Sequence, residues 1–193
     1  VREVKRRIPE LVIVWRAFEL RPEPVPTLDP QGEYLRRAWA QAVYPLAEKL
    51  GMLMRRPPVQ PRSRLAHEAA AWARHQGAFD LMNEAIFRAF FERGEDIGQS
   101  DVLVALAESV GLKGEALRRA LDHHEYRSEV LADEQLAARY GLCGVPAFVA
   151  GGTVLFGVQS AEALEEFIRA TERTSNISPS PGPLPERPVK ITR

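Results

Sequence analysis

Hydrophobic positions fall into three regimes along the chain. Leu11 to Phe18 is a compact apolar run rich in Val and Ile, closed by the proline-rich stretch Arg21-Pro22-Glu23-Pro24-Val25-Pro26. A run of that length ended by breakers reads as a buried β-strand. From Gln31 to Gly141 the apolar residues recur three and four apart, with turn residues at Gly51, Pro57-Pro58, Gly77, Gly94-Glu95-Asp96, Gly111 and Gly114. That block predicts about five or six helices. Phe79, Met82, Ile86, Phe87 and Phe90 form a core-facing stripe within it, and Trp72 and Phe91 join the expected core. Ser100-Asp101 reads as the N-cap of a short helix over Val102 to Leu106 that Gly111 stops. The third regime holds two short β-prone runs, Ala147–Ala150 and Thr153–Phe156, joined by Gly151-Gly152, a specific hairpin signal. Ser160 then caps an amphipathic helix from Ala161 to Thr171 with Leu164, Phe167 and Ile168 on one face. From Thr174 onward Ser, Pro and Asn dominate and no face can be buried, which predicts a disordered tail over 174–193.

The order is strand, helical block, hairpin, helix, so the fold class is α/β. A chain of 193 residues suits one core domain carrying a large insertion better than two full domains. Lys+Arg and Asp+Glu both number 26, and the resulting zero net charge provides no field that favours nucleic acid or an anionic membrane. No stretch approaches the ~18 apolar residues of a membrane span, and Leu11 to Trp15 is too short for a signal-peptide core. With one cysteine, neither an internal disulfide nor a Cys-based zinc site can form, and the expected location is cytoplasmic. His67 and His75 are too far apart, and His123 and His124 too close, for a helical zinc pair, so no metal is expected. The first residue is Val, which leaves an internal start, a trimmed chain and an alternative start codon all open.

Candidate chemistry gathers at Cys143-Gly144-Val145-Pro146, just ahead of the Ala147 strand. Proline reduces the trans preference of its peptide bond to roughly 0.5–1 kcal/mol, so a Gly-x-Pro opening a strand is a place where a cis bond can be held. Cys143 reads first as a small buried hydrophobe, because a reactive thiol needs a nearby cation or helix N-terminus. A lone thiol can still form one mixed disulfide with glutathione.

Several stretches together resemble one family, the DsbA-like thiol-disulfide oxidoreductases of thioredoxin fold, and within it the cytosolic FrnE-like branch. They are Trp15-Arg16-Ala17-Phe18-Glu19-Leu20 with Pro22, Arg64-Leu65-Ala66-His67 with Ala70 and Trp72, Phe90 to Leu103 around Gly94-Glu95-Asp96-Ile97, Gly144 to Val149, and Gly157-Val158-Gln159. The resemblance spans about Val12 to Ile168 and implies a thioredoxin-like fold with an all-helical insertion. Its segments would be residues 1–30 (helix end, strand and Pro-rich loop), 31–141 (insertion), 142–173 (proline loop, hairpin and helix) and the tail over 174–193. In the family a strand and a Cys-x-x-Cys helix precede the Trp15 strand. Here that first βα unit, about 25 residues of ordinary elements, is expected to be missing, and both redox cysteines with it.

The resemblance further implies that Pro146 is the cis-proline of a substrate groove and that the Val145 backbone pairs with an extended substrate or glutathione, its side chain serving only to pack. Phe18 and Glu19 would end a strand near that groove, with Leu20 packing and Glu19 a loop carboxylate or a solvated one. Disulfide exchange with turnover needs a second thiol to resolve the mixed disulfide, so the expected function is that of a family member inactive as written. Two alternatives stand beside it. One is a glutathione-dependent isomerase or transferase of the same fold, similar to 2-hydroxychromene-2-carboxylate isomerase, and the other a non-catalytic peptide- or thiol-binding protein. The expected partners are a thiol or disulfide substrate or glutathione, with no resident cofactor, and free strand edges are expected to recruit a second copy of the chain.

Overall fold

The computed structural model describes residues 1–175. The fold is α/β, and the chain divides into two compact units, Arg16–Arg139 on one side of the division and Val1–Trp15 with the described residues from Tyr140 onward on the other.

The Arg16–Arg139 unit is helical. α2 (Glu33–Ala38) runs through a π-helical turn at Trp39–Val43 into α3 (Tyr44–Lys49), followed by α4 (Arg64–His75) and then α5 (Phe79–Arg88) with a second π-helical turn at Ala89–Arg93. α6 (Ser100–Ser109), α7 (Gly114–Asp122) and α8 (Arg127–Arg139) complete it. With α2 and α3 read as one continuous helix, the block holds six helices, within the number the spacing predicts. α4 is the central element, packing against α5, α6, α7 and α8. Its buried Ala66, Ala69, Ala70 and Ala73 let the neighbouring helices approach closely, while Trp72 fills the space between them. Met82, Leu103 and Leu117 enter this core fully buried, each contributing about 1.5–3 kcal/mol by leaving water.

Two expectations inside the block need correction. Phe87 is 55% exposed, not core; it stacks on Phe91 at 5.9 Å between ring centroids, and as the residue after Ile86 it is turned about 100° round the helix from the line through Met82 and Ile86. Ser100 is the first residue of α6, whose N-cap is Gln99 with no side-chain capping bond.

In the other unit α1 (Arg2–Arg7) packs against the last helix, α9 (Ala161–Ser175). Val4 is buried on α1 and Leu164 on α9, and Arg7 bridges to Glu162 at 2.9 Å and Glu165 at 3.5 Å. β1 (Ala147–Ala150) and β2 (Thr153–Phe156) form an antiparallel hairpin in which Ala147 faces Phe156 and Ala150 faces Thr153. Its turn places Gly151 at φ +53 and Gly152 at φ +77, the left-handed pair a tight hairpin needs and a side chain resists. Ser160 Oγ accepts from Ala163 N at 3.1 Å and caps α9. That helix ends at Ser175, beyond the expected Thr171. The remainder of the expected tail, 176–193, lies outside the described residues.

The largest correction concerns Leu11 to Phe18. This segment joins no β-ladder, and Val12 is 81% exposed, so it is neither a paired strand nor buried. Its C-terminal end shows why. Asp133 Oδ2 accepts from Ala17 N at 2.8 Å and Glu134 Oε1 from Glu19 N at 2.6 Å. Carboxylates of α8 thus occupy the alternate N–H groups that a neighbouring strand would take.

Candidate functional site

The proline loop opens the hairpin. The Val145–Pro146 peptide is cis, as is Glu23–Pro24 in the helical unit. Pro146 O accepts from Gly157 N at 2.8 Å, extending the β1–β2 pairing by one bond. Val145 and Pro146 are both exposed, so the Val145 side chain does not pack as expected. β1 has its ladder partner on one side only among the described residues, and its backbone follows directly from this exposed loop.

Cys143 is exposed, which overturns its reading as a buried hydrophobe. It lies outside regular structure, after α8 and ahead of β1, where no apolar layer covers it. No group of three His, Cys, Asp or Glu side chains able to hold a metal occurs among the described residues.

Phe18 and Glu19 belong to the helical unit. Phe18 is half-buried, and Leu20, expected to pack, is exposed. Glu19 is 3% exposed and ion-paired with Arg64 of α4, which removes the solvated-carboxylate reading. Around it stands a cluster that the sequence reading did not assemble. Arg16 donates to Asp133 Oδ1 at 2.9 Å, and His67 Nε2 lies 3.2 Å from Phe18 O. Since a carbonyl can only accept, that His67 nitrogen carries the proton. Burial pushes the His67 imidazole below its ordinary value, only partly offset by the Glu19 charge. Burial also pushes the Glu134 carboxyl up; the Glu19 N–H bond works against that shift, and the Glu19 charge adds to it.

The residues that fix Glu19 are distant in sequence, 45 positions away for Arg64 and 115 for Glu134. No local pattern links them. The other histidines are also accounted for. His75 meets Glu129 at 3.0 Å, His123 Nδ1 lies 2.8 Å from Arg119 O, and His124 Nδ1 is 3.5 Å from the buried Glu68.

Comparison with known proteins resolves the family. The sequence matches the DSBA-like thioredoxin domain over residues 1–169. The chain belongs to the DsbA-like thioredoxin family. It is 33% identical over 163 residues to the uncharacterized protein YwbO of Bacillus subtilis (strain 168), covering 82% of each chain. Its fold is similar to that of a probable DsbA oxidoreductase, SCO1869 from Streptomyces coelicolor, with a TM-score of 0.72 at 21% identity. That likeness covers 99% of this chain and 85% of the other. The sequence carries one cysteine, Cys143. No helix among the described residues is long and apolar enough to cross a membrane.

Proposed function

We propose that this chain is a thiol-handling member of the DsbA-like family, of the cytosolic FrnE-like branch, that binds an extended thiol or disulfide substrate by strand addition and forms one mixed disulfide without turning over. The observation that carries the reading is the exposed Val145-Pro146 loop leading into β1, a strand with one unpaired side among the described residues. An extended peptide gains main-chain hydrogen bonds at such an edge. Val145 supplies the backbone groups and Pro146 shapes their approach. Phe18 is assigned to substrate contact on its own unit, in keeping with the family resemblance of Trp15 to Leu20, and Glu19, buried and paired with Arg64, supports that segment from beneath.

The chemistry open to Cys143 follows from its being alone. Its thiolate attacks one sulfur of oxidised glutathione, the Cys143 Sγ–S bond forms as the glutathione S–S bond breaks, and the second glutathione leaves as a thiolate. Resolving the product needs another thiol, which must come from outside this chain. Glutathione is thus proposed as a substrate and not as a resident cofactor. The FrnE-like placement is supported by the motifs at Trp15, Arg64, Gly94 and Gly144 standing in the family's order, and the cytoplasmic location by the single cysteine.

Titration of isotopically labelled chain with a short extended disulfide peptide, followed by amide chemical shifts, tests the binding step. The largest shifts should fall on Val145 and the β1 residues Ala147–Ala150. Shifts confined to other elements would overturn the strand-addition reading.

A further inference from the structure

The cluster around the buried Glu19 and Asp133, with Glu134 half-buried and Arg16 reaching in from the surface, carries a charge imbalance. The guanidinium groups of Arg16 and Arg64 face the carboxylates of Glu19, Asp133 and Glu134, two positive charges against three negative. On the α4 side, His67 is held below its ordinary value by burial and adds no charge at neutral pH, while Glu68 also feels the Arg64 charge but sits against His124 and is not among the groups that act on Glu134. Asp133 is 4% exposed. Both of its oxygens are engaged, one by Arg16 and one by Ala17 N. Glu19 has Arg64. Glu134 has the Glu19 N–H at 2.6 Å and shares the field of Arg64 with Glu19. Among the three carboxylates it has the weakest claim on a positive partner.

We propose that Glu134 is a proton-operated latch on the backbone at Glu19: ionised, it holds the Glu19 N–H, and on taking one proton it slackens that bond while Asp133 keeps hold of Ala17. The proton brings the cluster to two charges of each sign, a balance favoured most at its desolvated end, around Glu19 and Asp133. It also replaces a charge-assisted hydrogen bond by a neutral one, roughly half as strong. The Glu19 amide then opens locally, while Ala17 N stays with Asp133, Phe18 O with His67 and the Glu19 carboxylate with Arg64. The upward displacement of the Glu134 carboxyl by burial and by the Glu19 charge agrees with this order of events. Because Phe18, next in the chain to Glu19, is assigned above to substrate contact, the latch would make that contact sensitive to acid. This consequence rests on the functional reading above; the latch itself does not.

The test uses the full chain with neither substrate nor glutathione, so its outcome is independent of the binding titration. Carbon-detected NMR follows the Glu134 carboxyl through pH. Amide exchange, expressed as protection relative to the unfolded chain, follows Ala17 and Glu19 over the same range. Glu134 should titrate above the ordinary glutamate value of 4.5, and Glu19 protection should fall about tenfold at the same midpoint with Ala17 unchanged. In Glu134→Gln, Glu19 protection should lose that step. Glu19 protection that stays constant through the Glu134 titration of the parent chain would overturn the latch, and so would a step that persists in Glu134→Gln. The parent-chain measurement decides the matter even if the variant fails to fold.

Discussion

Glu68 shows how a single side chain can work against the unit that contains it. It lies on α4 with its side chain 1% exposed, and neither carboxylate oxygen accepts a hydrogen bond. Burial holds its carboxyl above the usual 4.5, partly offset by His124 and by the charges of Arg64 and Arg127. Between the unfolded value and the raised folded one, the folded chain binds more protons than the unfolded chain, so stability falls as pH rises through that window. Its contribution is fully favourable only below the unfolded value. Glu68→Gln removes the charge and keeps the shape. It should raise the melting temperature at pH 8 by about 2–4 °C, corresponding to ~1 kcal/mol, and this advantage should vanish near pH 4. A variant less stable than the parent at pH 8 would show that the ionised carboxylate is well accommodated. At this scale the sequence was least legible. Glu68 sits in an alanine-rich helical stretch as an ordinary polar residue, and the contacts that define Glu19 come from Arg64 and Glu134 far along the chain.

The elements divide according to how local their determinants are. The hairpin was legible because two adjacent glycines between β-prone runs specify the turn without outside help, and the same holds for the Ser160 cap of α9. The helical block was legible from apolar spacing, apart from Phe87, where a stripe wider than the buried face includes a residue that points to solvent. The Leu11 to Phe18 strand was misread because a strand is defined by its partner. The apolar run is real, but its last N–H groups go to Asp133 and Glu134 side chains, which no propensity argument anticipates. The hairpin turn offers a direct check. Gly151→Ala and Gly152→Ala each force a side chain into the left-handed region at a cost of about 1–2 kcal/mol. Gly151→Ala should cost more, because its new Cβ would lie 3.0 Å from Thr171 Cβ, whereas nothing lies within 4 Å of the Gly152 position. Urea unfolding of the two variants should rank them in that order; equal midpoints would mean that α9 yields at Thr171.

For the whole molecule, charge and thiol content set the behaviour. With 26 cationic and 26 anionic side chains and an isoelectric point near 7.1, the chain has little net repulsion between copies at neutral pH. Solubility should pass through a minimum near pH 7 and rise on either side, as light scattering across a pH series would show; a maximum there would point to association driven by charge at the extremes. The same count of residues leaves one thiol, exposed at Cys143, in a chain of the DsbA-like thioredoxin family. The most direct test combines intact-mass measurement after incubation with oxidised glutathione and an insulin-reduction assay driven by reduced glutathione. One glutathione per chain, lost in Cys143→Ala, with no sustained insulin reduction, is the predicted result. Sustained reduction that disappears in Cys143→Ala would contradict it, because a single thiol would then be turning over.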